Sequence, residues 1–298
     1  MAVVATGFFD GVHLGHRRVI SSLVGEARAR GEESMVVTFW PHPRNVLQKD
    51  ARNLRLLSSQ DEKKRMLGDL GVDHVEVVDF TREFSSLSAE RYLQEYIIGK
   101  FGGTAILLGY DNRIGGDGRS PGEIAEIAGN LGLDVVRAPV VSGDSGSAVS
   151  SSKIRGALER GDVEEASAML GYDYPLLGVV VAGKRLGRTI GFPTANMELY
   201  EPLKLVPGNG AYLVRVHTLG REFYGMCNIG VRPTVGEGNA RTIETNIFSF
   251  DEDIYGLDLE IEFISKIRDE VRFPDLDSLK ARLALDREEC LSRLHSKD

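Results

Sequence analysis

The stretch AVVATGFFDGVHLGH, residues 2–16, decides the fold of the first half of the chain. Its first five residues are apolar or small and predict a buried β-strand. A glycine-rich turn follows at once, and a helical pattern begins near His16. Free backbone N–H groups and the helix dipole point at a turn of this kind, which makes it a place where phosphates bind. The segment therefore predicts a strand–turn–helix unit with a phosphate site.

The alternation of strands and helices continues through the first half. Strands are predicted at residues 2–6, 35–40, 75–80, 104–108 and 135–141. Helices are predicted at residues 16–30, 60–70, 89–101 and 121–131, and a capping box between Ser59 and Glu62 opens the second of them. Near-continuous apolar strands that alternate with helices are typical of a parallel sheet covered on both faces. We expect a Rossmann-like α/β domain.

The second half has a different pattern. Two short helices are predicted at residues 153–160 and 163–170, followed by a linker at residues 172–175. Strand-like runs without helices between them occur at residues 176–182, 211–217, 222–229, 242–248 and 257–264, before a final amphipathic helix at residues 276–294. Short strands joined by turns that contain Gly and Pro predict an antiparallel barrel or sandwich. At roughly 150 residues per domain, we expect two domains, at residues 1–172 and 173–298.

Composition excludes several classes of protein. The 36 basic and 44 acidic residues give a net charge of −8, which excludes a basic coat for nucleic acid. Cys227 and Cys290 lack the spacing of a zinc site or a disulfide scaffold. No apolar run approaches the roughly 20 residues that span a bilayer, and residues 1–8 lack the basic start of a signal peptide. We therefore expect a cytoplasmic protein that binds neither nucleic acid nor membrane.

His13 and His16 are the candidate catalytic residues of the first half. An isolated pair of histidines is more often structural, but this pair directly follows the first strand and lies among glycines that allow close backbone approach. Both imidazoles can donate to one phosphate as charge builds in the transition state. The neighbouring candidates for phosphate binding are Gly7, Phe9, Asp10, Gly11 and Gly15.

A second candidate phosphate segment is SSSKIR, residues 150–155. It precedes a predicted helix, so its hydroxyl and N–H groups can either hold a phosphate or cap the helix. Ser151, Ser152 and Arg155 are the candidate ligands, and Lys153 adds positive charge. The residues alone leave both interpretations open.

The string GKRLGRTIGFPTAN, residues 183–196, is the candidate nucleotide site of the second half. Thr194 and Asn196 alternate by two, so both oxygens can face one side of an extended strand, and such ligands suit Mg²⁺. Glycines let the backbone wrap closely around phosphates. The candidate phosphate ligands are Gly183, Lys184, Gly187, Arg188 and Gly191. Arg185 stands where a Walker A loop needs Ser or Thr, which excludes a P-loop kinase.

These motifs resemble those of one known family. GFFDGVHLGH (7–16), TFWPHPR (38–44) and SSSKIR (150–155) are similar to the nucleotidyltransferase module of the prokaryotic bifunctional riboflavin kinase/FAD synthetase family. The resemblance implies that His13 and His16 stabilise the α-phosphate of ATP. It also implies that Ser151, Ser152 and Arg155 hold the nucleotide's phosphates. FMN would attack ATP without a covalent enzyme intermediate, giving FAD and pyrophosphate.

The second half resembles the riboflavin kinase module of the same family through GKRLGRTIGFPTAN, NIGVRPT (228–234) and RDE (268–270). The resemblance implies an antiparallel barrel in which Glu244 is the catalytic base that deprotonates riboflavin for attack on the γ-phosphate of ATP. The resemblance places Arg268 and Glu270 in a flap near the flavin, whereas the residues alone are equally compatible with a surface salt-bridge pair. Riboflavin, FMN and ATP are the implied partners, and Mg²⁺ is the implied metal of both steps.

Some positions depart from the family pattern. In LGYDNRIG, residues 108–115, Asn112 and Ile114 stand where the family tends to carry aromatic residues, and Asp111 is kept. Asp111 and Asn112 are the candidate flavin contacts of the first half. Asn246 replaces the histidine that the family usually has two residues after Glu244. Two alternatives to a bifunctional enzyme stay open: a riboflavin kinase with a degenerate adenylyltransferase domain, and a regulatory module that binds flavin or nucleotide without turnover.

Overall fold

The computed structural model describes residues 1–47, 54–109, 113–138, 149–183, 186–232 and 240–295. The chain forms two compact units, Met1–Ser151 and Ser152–Asp298. The helices within residues 151–170 therefore fall almost entirely in the second unit. The predicted limit between functional domains, at residues 172 and 173, stays a prediction.

The strands of the first unit are β1 (Ala2–Thr6), β2 (Glu33–Trp40), β3 (His74–Asp79), β4 (Gly103–Leu108) and β5 (Asp134–Arg137). They form a five-stranded parallel sheet in the order β3-β2-β1-β4-β5. This confirms the Rossmann-like α/β class. The strand order reverses between β1 and β4, and ligands of such sheets bind beyond the carboxyl ends of the strands at this point. The turn after β1 lies there.

The helices of the first unit are α1 (Leu14–Arg30), α2 (Pro43–Leu47), α3 (Gln60–Asp69), α4 (Arg82–Ser85), α5 (Ala89–Tyr92) and α6 (Pro121–Asn130). A π-helix, Leu93–Lys100, continues α5, where the sequence predicts one regular helix. The predicted capping box of α3 is confirmed, because Ser59 Oγ accepts from the Glu62 N–H at 3.1 Å and the Glu62 carboxylate accepts from the Ser59 N–H at 2.7 Å.

Strand β1 is buried along its whole length because helices cover both faces of the sheet. Successive side chains of a strand point to opposite faces. Val3 and Ala5 accordingly pack in one apolar cluster with Ile20 of α1, whereas Val4 packs in the other with Ile97 of the π-helix. This burial on both sides explains why the strand is continuously apolar rather than alternating.

The strands of the second unit are β6 (Tyr174–Val181), β7 (Ala195–Leu199), β8 (Gly210–Thr218), β9 (Arg221–Arg232), β10 (Ala240–Ile247) and β11 (Asp258–Arg268). They close into a barrel in the order β10-β7-β6-β11-β8-β9, and every pair in it is antiparallel. The helices of this unit are α7 (Ser151–Arg160), α8 (Val163–Leu170), α9 (Leu186–Thr189) and α10 (Leu276–His295). The predicted barrel with a C-terminal helix is confirmed.

Two details of the second unit differ from the sequence-based prediction. Tyr174 and Pro175, predicted as linker, are the first residues of β6, and Tyr174 is fully buried with its hydroxyl donating to the Leu205 carbonyl at 2.8 Å. Strand β7 was not predicted, because it has only five residues and follows a glycine- and proline-rich string. Both strands are recognisable only by their partners in the barrel.

Helix α10 covers part of the outer face of the barrel. Cys290 of α10 is fully buried and packs in one cluster with Leu213, Met226 and Ile264 of the strands. Cys227 lies one residue from Met226 on β9 and therefore points to the opposite side, into the barrel. Both cysteines are buried and free, and burial raises the pKa of each thiol to about 12. Each therefore behaves as a small apolar side chain.

Candidate active sites

The turn after β1 adopts an unusual backbone. Phe9 and Val12 have φ values of 51° and 35°, and Gly11 has a φ of 75°. A non-glycine residue with positive φ is uncommon, and such strain is found where the surrounding structure enforces it. The enforcing contacts come from Asp10, whose buried carboxylate accepts from the N–H groups of Leu57 at 3.0 Å and Ser58 at 3.2 Å. Asp10, a predicted phosphate residue, thus binds backbone and holds the turn.

His13 and His16 lie together at the N-terminus of α1. Their rings are stacked, with centroids 3.7 Å apart and planes 16° from parallel. His13 Nδ1 accepts from the His16 backbone N–H at 3.3 Å, so the neutral ring carries its proton on Nε2 and would donate through that atom. Burial, followed by the nearby charges of His13 and Lys63, lowers the pKa of His16 well below 6.5. Both predicted histidines therefore occupy one site.

Gly7 and Gly15 make room for the aromatic rings of the turn. A Cβ at Gly15 would lie 3.2 Å from both Cε1 and Nδ1 of the His13 ring. A Cβ at Gly7 would lie 3.0 Å from the Phe9 ring. The two glycines therefore permit the ring positions, in addition to any contact that they make with phosphate.

The SSSKIR segment begins α7. Ser151 Oγ donates to the Asp10 carbonyl at 3.2 Å, which ties this hydroxyl to the turn after β1. Ser152 and Arg155 are three residues apart on α7 and share one face of the helix. The structure therefore brings Ser151 to the predicted site.

A group of aromatic residues lies at the carboxyl ends of β2 and β3, and of its members only Phe39 belongs to a motif quoted above. Phe84 packs edge to face against Tyr92 and Tyr96, with centroids 5.7 and 5.1 Å away, and Phe39 and Phe80 join the same group. Their spacing along the chain shows no period, so only folding reveals the group. Asp111 and Asn112, the predicted flavin contacts, lie outside the described residues. Ile114 is 4% exposed and belongs to the apolar core of the sheet.

Glu244 lies in the middle of a polar row across three strands of the barrel. Antiparallel pairing sets it directly opposite Asn196 of β7 on one side and Asn228 of β9 on the other. Directly opposed residues of an antiparallel pair point to the same face. Asn246, two residues on, pairs with Met226, which packs under α10, so this face is the outside of the barrel. The row gives the carboxylate an amide neighbour on each side.

The glycine-rich string folds tightly against the start of β7. A Cβ at Gly183 would lie 2.4 Å from Asn196 Nδ2 and 2.8 Å from Oδ1, and one at Gly187 would lie 2.2 Å from the Phe192 carbonyl oxygen. Distances under about 3.0 Å are not tolerated by real Cβ atoms. Glycine at these positions therefore allows the Asn196 amide to lie against the string. Lys184 lies outside the described residues.

A cavity of about 370 Å³ lies beside the glycine-rich string. Arg188 and Thr194 line it together with Thr245 and the loop Phe250–Tyr255. Most of this loop has no signature in the sequence, because its acidic residues show neither periodicity nor a motif. The cavity places a predicted phosphate ligand and a predicted metal ligand on one surface.

Thr194 and Asn196 fit a hard cation as oxygen donors. In the described part of the chain, no group of three or more His, Cys, Asp or Glu side chains could hold a metal ion. A cation on these two residues would complete its coordination with phosphate oxygens and water, which is how Mg²⁺ is usually bound beside nucleotides. The donor set thus fits Mg²⁺ bound together with ATP.

Arg268 and Glu270 have different surroundings. Arg268 donates from Nε to the Asp286 carboxylate at 2.8 Å and from Nη2 at 2.7 Å, which joins the end of β11 to α10. Asp286 is 1% exposed, so this ion pair is largely withdrawn from water. Glu270 accepts from Asn209 Nδ2 at 2.8 Å and lies against Gly230 of β9, on the stretch that contains Asn228. Arg268 therefore joins β11 to α10, and Glu270 lies against β9.

Comparison with known proteins identifies both units. The family model for FAD synthetase matches residues 1–153, and the family model for riboflavin kinase matches residues 170–294. The chain is therefore an enzyme that carries an FAD synthetase domain followed by a riboflavin kinase domain. It is 36% identical over 294 residues to the bifunctional riboflavin kinase/FMN adenylyltransferase of Bacillus subtilis, covering 97% of this chain and 92% of that protein.

Other relatives agree over nearly the full length. The protein of the same description from Escherichia coli K12 is 36% identical over 286 residues, covering 95% of this chain and 90% of its own. The chain belongs to the bifunctional riboflavin kinase/FMN adenylyltransferase family.

One solved structure matches both units. A crystal structure described as a macrolide-efflux protein from Streptococcus pneumoniae has a TM-score of 0.88 and 32% identity, covering 96% of this chain and 93% of that one. The words "macrolide-efflux protein" describe the Streptococcus pneumoniae protein and assign no such role to this chain. Among the residues described for this chain, no helix is long and apolar enough to cross a membrane.

Proposed function

We propose that the two activities of the family are divided between the two units, with riboflavin phosphorylated in the barrel and FMN adenylylated at the turn after β1. The observation that carries the division is that the polar row around Glu244 lies on the barrel, whereas the stacked pair His13 and His16 lies at the switch point of the parallel sheet. Each location has the groups that one of the two reactions needs.

In the barrel, Glu244 accepts the proton of the ribityl 5′-hydroxyl while that oxygen attacks the γ-phosphate of ATP, and ADP leaves. Asn196 and Asn228 flank the carboxylate and orient it. Thr194 and Asn196 would hold Mg²⁺, and the ion would supply neutralisation of the phosphate charge. Arg188 and Thr194 on the cavity wall support placing the nucleotide in the cavity of the barrel.

In the first unit, a phosphate oxygen of FMN attacks the α-phosphate of ATP, and pyrophosphate leaves. His13, protonated on Nε2, donates to the α-phosphate as negative charge builds there. Neutral His16 acts beside it, and Ser151 with the N-terminus of α1 completes the phosphate site. The half-buried aromatic residues Phe39 and Phe84 offer a surface for the flavin ring.

The altered position at Ile114 is compatible with this activity. Ile114 packs in the apolar core, so an aliphatic residue there changes core packing and not a surface that stacks on a flavin. This observation favours the bifunctional enzyme over a kinase with a degenerate first domain. Both reactions consume ATP, which supports the predicted cytoplasmic location.

The test is a product assay in two separate mixtures, one with riboflavin and ATP and one with FMN and ATP, each with Mg²⁺ and with chelator as control. We expect FMN and ADP from the first mixture, FAD and pyrophosphate from the second, and neither reaction after chelation. FMN formation without FAD formation would support a riboflavin kinase with a degenerate adenylyltransferase domain. Flavin binding without either product would support a regulatory module without turnover.

A further inference from the structure

Lys63 is a buried charged side chain on a helix face that is otherwise largely apolar. It lies on α3 and is 1% exposed. Leu67, one turn further along α3, packs in the apolar cluster between α1 and the sheet, so an apolar residue at position 63 would suit the same environment. Burying a charged group is unfavourable unless something else needs the charge.

The Lys63 ammonium lies directly beneath the turn after β1. Its Nζ is 3.8 Å from the centroid of the Phe8 ring and 3.4 Å from Thr38 Oγ1. Thr38 Oγ1 in turn donates to the Phe8 carbonyl at 3.2 Å. Contacts therefore run from the ammonium through Thr38 to the residue that begins the strained part of the turn.

The same charge acts on the catalytic pair. The groups that face His16 are His13 and Lys63, and both lower its pKa after the larger effect of burial. Asp10 faces Lys63 and favours its charged form, while burial lowers the pKa of Lys63 to about 8. At neutral pH a buried positive charge therefore lies next to the turn.

We propose that Lys63 is a positioning residue of the adenylyltransferase site: it holds the turn at Phe8 and supplies a fixed positive charge beneath His13 and His16 that favours the polyphosphate of ATP. The inference rests on the proposed function of this turn, and it adds a residue that none of the motifs contains. Lys63 acts through the turn, since its own ammonium is covered by Phe8.

The test compares Lys63→Met with Lys64→Met in the full-length chain. Lys64 is the next residue on α3 and is exposed, so the second variant removes the same charge from the surface. We expect FAD formation from FMN to fall at least tenfold in Lys63→Met and to stay within twofold in Lys64→Met. Riboflavin phosphorylation by the barrel, measured on the same samples, should stay within twofold in both.

The pH profile separates a charge effect from a packing effect. For the wild type, kcat/KM for ATP in FAD formation should fall as the pH rises through about 8, where Lys63 loses its proton. Lys63→Met should lack this alkaline limb, and its acid limb should move to higher pH, because His16 no longer faces the ammonium. Thr38→Val, which keeps the charge but cuts the hydrogen bond, should retain the alkaline limb.

Folding of the first unit is followed through Trp40, the single tryptophan of the chain, at the end of β2. Lys63→Met leaves the buried Asp10 carboxylate without the ammonium that faces it, so both proteins are assayed at a temperature at which the Trp40 signal shows them to be folded. Full activity in folded Lys63→Met or an unchanged pH profile would overturn the positioning role. A wild type that phosphorylates riboflavin but makes no FAD would instead overturn the proposed function, and this inference with it.

Discussion

The turn after β1 and the polar row of the barrel position their reactive groups by different means. In the turn, left-handed backbone at Phe9 and Val12 is held by buried polar groups, chiefly Asp10. In the row, regular antiparallel register with Asn196 and Asn228 positions Glu244. A site built on a strained turn depends on every group that enforces the turn, whereas a site built on register depends on the few side chains that face the substrate. Four experiments test this contrast, beginning with the largest expected effect.

Glu244→Gln should abolish most riboflavin phosphorylation. Loss of the base is expected to cost roughly 100- to 10,000-fold in kcat, because the amide cannot accept the proton of the hydroxyl. FAD formation from added FMN should be unchanged, since that reaction uses the other unit. Steady-state assays of both reactions measure this, with Glu198→Gln, an exposed glutamate of β7, as the matched control. Equal loss of both activities in a folded protein would contradict the separation of the sites.

His13→Ala should give the reverse pattern. Removing one donor to the developing charge is expected to lower FAD formation about 100- to 1,000-fold. His13 also caps α1 through its Nδ1, so the first unit should become somewhat less stable as well. His74→Ala, which removes a half-exposed histidine of the same unit, serves as the control. Retained FAD formation in His13→Ala would remove this histidine from the mechanism.

Gly183→Ala should weaken nucleotide binding in the barrel. The new Cβ would collide with the Asn196 amide and displace a predicted Mg²⁺ ligand. We expect KM for MgATP in the kinase reaction to rise about tenfold, which corresponds to about 1.4 kcal/mol, with a smaller change in kcat. FAD formation in the same protein is the internal control. An unchanged KM would show that Asn196 does not contribute to binding of the nucleotide.

The smallest effect concerns pH. Because the pKa of His16 lies well below 6.5, this ring stays neutral as the pH falls through the range where an ordinary histidine gains its proton. FAD formation should therefore keep its kcat/KM down to pH 6, as long as substrate ionisation is taken into account. NMR titration of His16 in the free enzyme checks the assignment directly. A midpoint at or above 6.5 would contradict it.

Local patterns predicted most of the fold. Strand β1 and helix α8 begin and end where the sequence places them, and the capping box at Ser59 forms as predicted. These features follow from residues close together in the chain, where periodicity and capping act. Strand β7 and the start of β6 were missed because their identity depends on hydrogen bonds to strands far along the chain. The short motifs marked the candidate sites, but they did not show which residues support them.

By itself, the sequence determined the fold class of each half and identified the two histidines and the glycine-rich string as candidate site residues. Each of these predictions depends on residues that are close together in the chain. Only the tertiary structure decided that Asn228 lies beside Glu244, that Ile114 packs in the core, and that Lys63 lies beneath the turn of the histidines. Such contacts join residues that are distant in the chain, and strand register and helix packing bring them together. For the same physical reason, the burial of Lys63 beside this turn has no signature in the sequence.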